Sequence, residues 1–215
     1  MHSQKAATKG PEERQAIARM TWIEDAHAMQ PLKHLRIAAT TVAATTAGLF
    51  RIAARRQAPR VLLAVGDTAP EFALPGTDGR PHHLAEICAT GDAVVVAWFP
   101  KAFTGGCTTE CESLGRSAED VRRYRVQFFG ANVDSVETNR RFAASLGIDY
   151  PLLSDPDGRV ARAYGVLGAS GFPSRWTFFI GADRRILAID RHVQVSSHGS
   201  DVAATLDRLG ISRRT

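Results

Sequence analysis

The sequence predicts an α/β domain, a central β-sheet covered on both sides by helices, behind an N-terminal extension of different character. Three observations carry this. AVVVAWF at 93–99 is an unbroken β-branched and aromatic run, the signature of a strand buried on both faces. From residue 61 strand signals alternate with helix signals, as they do where helices cover a sheet. With 215 residues, 44% of them hydrophobic, the chain has material for one sizeable core.

The elements follow in order along the chain. EFALPGTDGRPHHL reads as a short strand, a turn at GTDGR and a second extended piece. After AVVVAWF comes a helical pattern from Thr108 to Tyr124, then the strand VQFFGANV and a helix over ETNRRFAASLG. YPLL is a short strand, SDPDG a turn and VARAYG a short helix; RWTFFI and RILAID are strands. A helix from Ser200 to Leu209 closes the chain, with Gly210 as its stop signal.

Charge separates the extension from the domain. Residues 1–60 hold ten Lys and Arg against four Asp and Glu, whereas 61–215 hold 17 against 18. The basic balance belongs to the extension, which argues against a nucleic-acid-binding core. Within it IAATTVAATTAGLF, Ile37 to Phe50, is flanked by arginines. Fourteen weakly apolar residues fall short of the roughly 17 to 25 that a membrane span needs, and arginines stand where a signal peptide has its small-residue cleavage site. A disordered or loosely helical extension of a cytoplasmic protein is expected. A weak membrane anchor at 37–50, or export through this segment, is the alternative.

Three cysteines are too few for a disulfide scaffold and leave redox chemistry, a metal site or simple burial. Two of them lie in TGGCTTEC, residues 104–111, directly after the run AVVVAWF. A cysteine in the first turn of a helix that follows a central strand faces free backbone N–H groups and the positive end of the helix dipole. Such a setting can lower a thiol pKa from about 8.5 into the range of roughly 3.5–7.5. Gly105 and Gly106 allow close approach of a small ligand, and Thr104 supplies a hydroxyl that donates and accepts. The octet is a site for a small polar electrophile. Cys88 in LAEICATG reads as a buried hydrophobe, and His82 and His83 as solvated turn residues.

FPKAFTGGCTTEC carries P-x-x-x-T-x-x-C at Pro100, Thr104 and Cys107, and resembles the peroxiredoxin family, most of all its bacterioferritin-comigratory-protein, or type Q, branch. VGDTAPEFALPGTDG, YPLLSDPDGRVARAYGV and SRWTFFI resemble further segments of that family, so the likeness spans about residues 65–210. It implies a thioredoxin-like fold and a thiol-dependent peroxidase without metal or organic cofactor. Cys107 would be the peroxidatic cysteine, with Thr104 hydrogen-bonded to thiolate and peroxide, and Arg175 stabilising the thiolate and the breaking O–O bond. Gly106 and Cys107 would offer backbone N–H donors, Pro100 would shield the pocket, and Glu110 would orient the arginine unless it serves only the helix dipole. The implied partners are a hydroperoxide and a thioredoxin- or glutaredoxin-type reductant, with the chain a monomer or homodimer.

Cys111 departs from the branch, where the resolving cysteine commonly lies five residues after the peroxidatic one; here it lies four after. Helical Cβ atoms at i and i+4 are about 5–6 Å apart, and a disulfide needs about 3.5–4.5 Å. Resolution by Cys111 therefore requires the first turns of the helix to unwind; an external thiol is the alternative. A reading from another class is a thioredoxin-fold copper chaperone, with C-x-x-x-C and His192 as ligands, or a thiol-disulfide oxidoreductase. Thr104, the glycines and Arg175 speak against copper, because a cation beside the thiolates opposes metal binding.

Overall fold

The computed structural model describes residues 62–214. The extension 1–60, with its segment 37–50, lies outside the described residues. Among those described, no helix is long and apolar enough to cross a membrane.

The first strands among the described residues form a hairpin, β1 (Ala73–Pro75) antiparallel to β2 (Pro81–His83), around the GTDGR turn. A short helix absent from the expected order, α1 (Leu84–Ala89), follows. The main sheet is built on β3 (Ala93–Trp98), every residue of which is buried. β3 pairs in parallel with β4 (Val126–Asn132) and antiparallel with β6 (Trp176–Ile180). β5 (Leu152–Ser154) and β7 (Ile186–Asp190) complete the five-stranded order β5-β4-β3-β6-β7.

Strand alternation sorts β3 into two cores. Val95 and Ala97 face the layer of α2 (Gly105–Arg116), α3 (Ala118–Arg122), α4 (Val136–Leu146) and α6 (His198–Arg208), together with Phe128, Phe142 and Phe179. Val94, Val96 and Trp98 face the other way, onto α1, the hairpin and α5 (Arg159–Ala163). Residues i and i+2 share a face of a strand, which is why an unbroken apolar run suits the central position.

The single helix expected over 108–124 is two helices. α2 starts earlier, at Gly105, and ends at Arg116; at the cap residue Ser117 the backbone leaves helical geometry (φ −99°, ψ 6°) before α3 begins. The close approach of α6 accompanies this break: a Cβ on Gly199 would stand 2.2 Å from the Ser113 carbonyl oxygen and 2.6 Å from Ser117 Oγ. Bare glycine backbone lets the two helices touch there, and Ser113 Oγ accepts from Gly199 N–H and donates to the Ser196 carbonyl, both at 3.1 Å.

Candidate active site

β3 delivers the chain to a tight loop, 99–104, that launches α2. Phe103 holds the left-handed conformation, φ 60°, uncommon for a bulky residue. Two contacts, one from α4 and one from the loop that follows β4, support it. Its ring meets Phe142 edge-on at 5.1 Å between centroids, and the Ala102 N–H donates to Asp134 Oδ2 at 2.8 Å. Asp134 Oδ2 also accepts from Asn132 Nδ2 at 2.9 Å. Asn132 and the buried Asn139 bond each other reciprocally at 2.8–2.9 Å, and Asn139 reaches Ser154 Oγ at 2.9 Å. A buried, well-paired amide network thus ties the loop to β4, α4 and β5.

Thr104 stands at the N-cap of α2, and its carbonyl accepts the first helical bond, from Thr108 N–H at 2.8 Å. The amides of Gly105, Gly106 and Cys107 therefore have no acceptor within the helix. The Thr104 hydroxyl donates to the Lys101 carbonyl at 3.0 Å, so its one proton is directed to the loop rather than to sulfur. Pro100 lies half-buried in the same loop.

Cys107 occupies the first turn of α2 and is 1% exposed. Arg175, just ahead of β6, donates from Nη2 to its Sγ at 3.4 Å. Gly106 makes room: a Cβ there would stand 3.3 Å from that Nη2. The other terminal nitrogen, Nη1, bonds Glu110 Oε2. Glu110, three residues beyond Cys107, is on the same helix face and is 1% exposed. A carboxylate so buried needs partners to offset its desolvation. Its second oxygen, Oε1, faces His198 Nδ1 at 3.2 Å, off the line of an ideal hydrogen bond, and His198 Nε2 lies 2.8 Å from Thr177 Oγ1. Burial pushes the His198 pKa down to about 4; Arg175 acts the same way, and Asp190 and Asp201 oppose it. Burial thus favours the neutral imidazole.

Cys111 is fully buried on the same layer, and burial pushes its thiol up to about 12. The Tyr150 hydroxyl donates to its carbonyl at 3.0 Å. Cys88 belongs to the opposite core, with the sheet between it and Cys107; its Sγ lies 3.6 Å from the Gly181 carbonyl, and burial raises its pKa too. All three cysteines are free. His192 is exposed, and among the described residues no three His, Cys, Asp or Glu side chains are grouped to hold a metal ion. His82, expected in solvent, is instead tucked in at 13% side-chain exposure, against the Phe129 ring and Asp78. The apolar ring next to the hairpin outweighs its polar sequence context.

The fold thus gathers Cys107, Glu110 and Arg175, with Thr104 and Gly106 beside them. Sequence reasoning missed His198, Asp134, the asparagine pair and Tyr150. Only His198 has a local signal, its place beside glycine just ahead of the terminal helix pattern. What the cluster offers chemically is a buried sulfur, a guanidinium against it and three unpaired amides, a setting that stabilises negative charge on a small reacting group.

Residues 65–189 match the AhpC/TSA family. A putative peroxiredoxin of Mycobacterium tuberculosis strain H37Rv is 35% identical over 67% of this chain and 96% of its own length. The crystal structure of peroxidoxin BcpB from Mycobacterium tuberculosis superposes with a TM-score of 0.63 at 34% identity, covering 68% of this chain and 98% of that one. The Xanthomonas campestris bacterioferritin comigratory protein, solved in a study of its alkyl peroxide reduction activity, gives a TM-score of 0.61 at 25% identity over 68% of this chain and 97% of that one.

Proposed function

The chain belongs to the AhpC/TSA family and is a peroxiredoxin, a thiol-dependent peroxidase, and from that premise we propose that Cys107 is its peroxidatic residue, acting on hydrogen peroxide and small organic hydroperoxides. The Cys107 thiolate attacks one peroxide oxygen. An S–O bond forms as the O–O bond breaks, and the departing oxygen takes a proton to leave as water or alcohol. Arg175 and the unpaired amides at the start of α2 face the charge that spreads over the reacting atoms. The sulfenic acid of Cys107 then condenses with the Cys111 thiol, releasing water and leaving a disulfide. A thioredoxin- or glutaredoxin-type dithiol reduces that bond. The basic segment 1–60 is an appendage to the peroxidase domain at 61–215.

The observation that supports this reading most is the 3.4 Å approach of Arg175 Nη2 to the buried Cys107 Sγ at the start of a helix. A guanidinium there serves anionic sulfur, and a metal ion would compete with it. Hydrogen peroxide consumption coupled to a thiol reductant tests the reading. Cys107→Ser is expected to remove it entirely and Cys88→Ser to leave it intact. Residual turnover in Cys107→Ser would defeat the assignment.

A further inference from the structure

Glu110 is held unequally. Its Oε2 is engaged by Arg175, whereas Oε1 finds no well-formed hydrogen bond. The atom facing Oε1 is His198 Nδ1, at 3.2 Å, itself buried and in the same condition. The ring's other nitrogen is fixed by Thr177 Oγ1 at 2.8 Å. The two neighbours decide the tautomer. A carboxylate only accepts, while a threonine hydroxyl both donates and accepts. With the proton on Nδ1 the ring donates to Glu110 and Nε2 accepts from Thr177, so every group is served. With the proton on Nε2 a lone pair would be aimed at a buried carboxylate. A ring this buried favours its neutral form, which has one proton to place. The charged groups around it are Glu110 on α2, Arg175 ahead of β6, Asp190 at the end of β7 and Asp201 on α6.

We propose that His198 is a positioning residue for the peroxidatic site: its Nδ1–H fixes Glu110, so that Glu110 holds the Arg175 guanidinium with Nη2 against Cys107. The inference rests on the reading of Cys107 as the attacking thiol. A carboxylate anchored at one oxygen turns about its terminal torsion, which is broad, and carries Arg175 with it. Anchored at both, it cannot. His198 is well placed to act as the second anchor, because the contact of Gly199 with Ser113 sets the first turn of α6 directly against α2.

The test compares two variants of the full chain. The amide nitrogen of asparagine stands where Nδ1 does, two bonds from Cβ, and that of glutamine stands where Nε2 does. His198→Asn keeps a donor for Glu110, and His198→Gln loses it while keeping the partner of Thr177. The readout is the single-turnover rate of the reduced protein with hydrogen peroxide. His198→Gln is expected to be about 10- to 100-fold slower, the effect of leaving a buried charged group short of a hydrogen bond. His198→Asn is expected to restore the rate to within about threefold of wild type on the same basis, although both variants disturb the same packing. Equal losses in the two variants, or no loss in His198→Gln, overturn the proposal. Ring nitrogen NMR of the wild type gives a reading free of mutation: Nδ1 protonated supports it, Nε2 protonated overturns it. A wild type no faster with peroxide than a free thiol sinks the reading of Cys107 and this proposal with it. A fast wild type matched by His198→Gln sinks this proposal alone.

Discussion

Replacing Gly199 by alanine adds one methyl group at the point where α6 touches α2. That methyl would stand 2.2 Å from the Ser113 carbonyl oxygen, 2.6 Å from Ser117 Oγ and 2.7 Å from Ser117 Cβ. The first of these is backbone inside a helix, so no rotamer relieves it. Reaching even a tight 3.0 Å contact requires α6 to retreat by about 0.8 Å, which also stretches the 3.1 Å bond from Gly199 N–H to Ser113 Oγ. Overpacking of this kind costs about 1–3 kcal/mol. Alanine returns somewhat under 1 kcal/mol of helix propensity in this first turn, which leaves a net loss of up to about 2 kcal/mol, the backbone contact placing it toward the upper end. For a domain of this size that lowers Tm by up to about 8 °C. Function should suffer more than stability. His198 is the adjacent residue, and a displacement near 1 Å in a supporting group can cost about 100-fold in rate. Thermal melting and the single-turnover peroxide rate measure the two effects. A Gly199→Ala protein with unchanged or raised Tm would refute the contact. A lowered Tm with an unchanged rate would refute the coupling of α6 to the site.

Two further outcomes follow from the buried groups. His198 has a folded pKa near 4, below its ordinary 6.5, so between those values the unfolded chain binds a proton that the folded chain refuses. Its stabilising contribution is complete above about pH 6.5 and is lost as pH falls towards 4, by up to about 3 kcal/mol. Urea midpoints at pH 7 and pH 4.5 should show this slope in wild type and a shallower one in His198→Asn; parallel slopes would remove His198 as the cause. For the cysteines, peptide mapping after one equivalent of peroxide should find a Cys107–Cys111 link and none to Cys88, which lies across the sheet. In Cys111→Ser, Cys107 sulfenic acid should accumulate instead. A Cys107–Cys88 link, or dimers alone, would count against intramolecular resolution by Cys111.

Residues whose roles are set within a short stretch of chain were legible. AVVVAWF announces a central strand because both faces of it are apolar, and P-x-x-x-T-x-x-C marks the loop because strand end, turn and helix start lie within a dozen residues. Arg175 was legible only through the resemblance of SRWTFFI to the family's strand, since an arginine ahead of a strand run is by itself an ordinary surface residue. The break at Ser117 was not legible, since Gly115 and Ser117 in ESLGRSAED weaken a helix without placing its end, and the break accompanies the close approach of a helix some 80 residues further on. α1 shows apolar residues at Leu84, Ile87 and Cys88, the i, i+3, i+4 pattern, but six residues give too little periodicity to separate from a turn. Asp134 carries no mark of its own, and His198 only its place beside Gly199; each matters through a partner 32 or 88 residues away, and such pairings exist only after packing.

The arrangement sets the two halves of the proposed cycle against each other. Attack by Cys107 needs α2 wound, because only then do its first amides, Glu110 and Arg175 converge on the sulfur. Attack by Cys111 needs it unwound. The i, i+4 separation is too long for a disulfide, and while buried the Cys111 thiol stays near pKa 12 and is a poor nucleophile. Unwinding the first two turns, which hold both cysteines, corrects both faults at once, bringing the sulfurs together and returning Cys111 to water, where its proton leaves more readily. What opposes the opening is the Tyr150 bond to the Cys111 carbonyl, the burial of Cys111 and the grip of Arg175 and His198 on Glu110. The last of these serves the first half-reaction and resists the second. Loosening it through His198→Gln should therefore slow sulfenic acid formation and hasten disulfide closure, opposite signs from one substitution. A purely structural defect would slow both, so disulfide closure slower than wild type in that variant would break the argument.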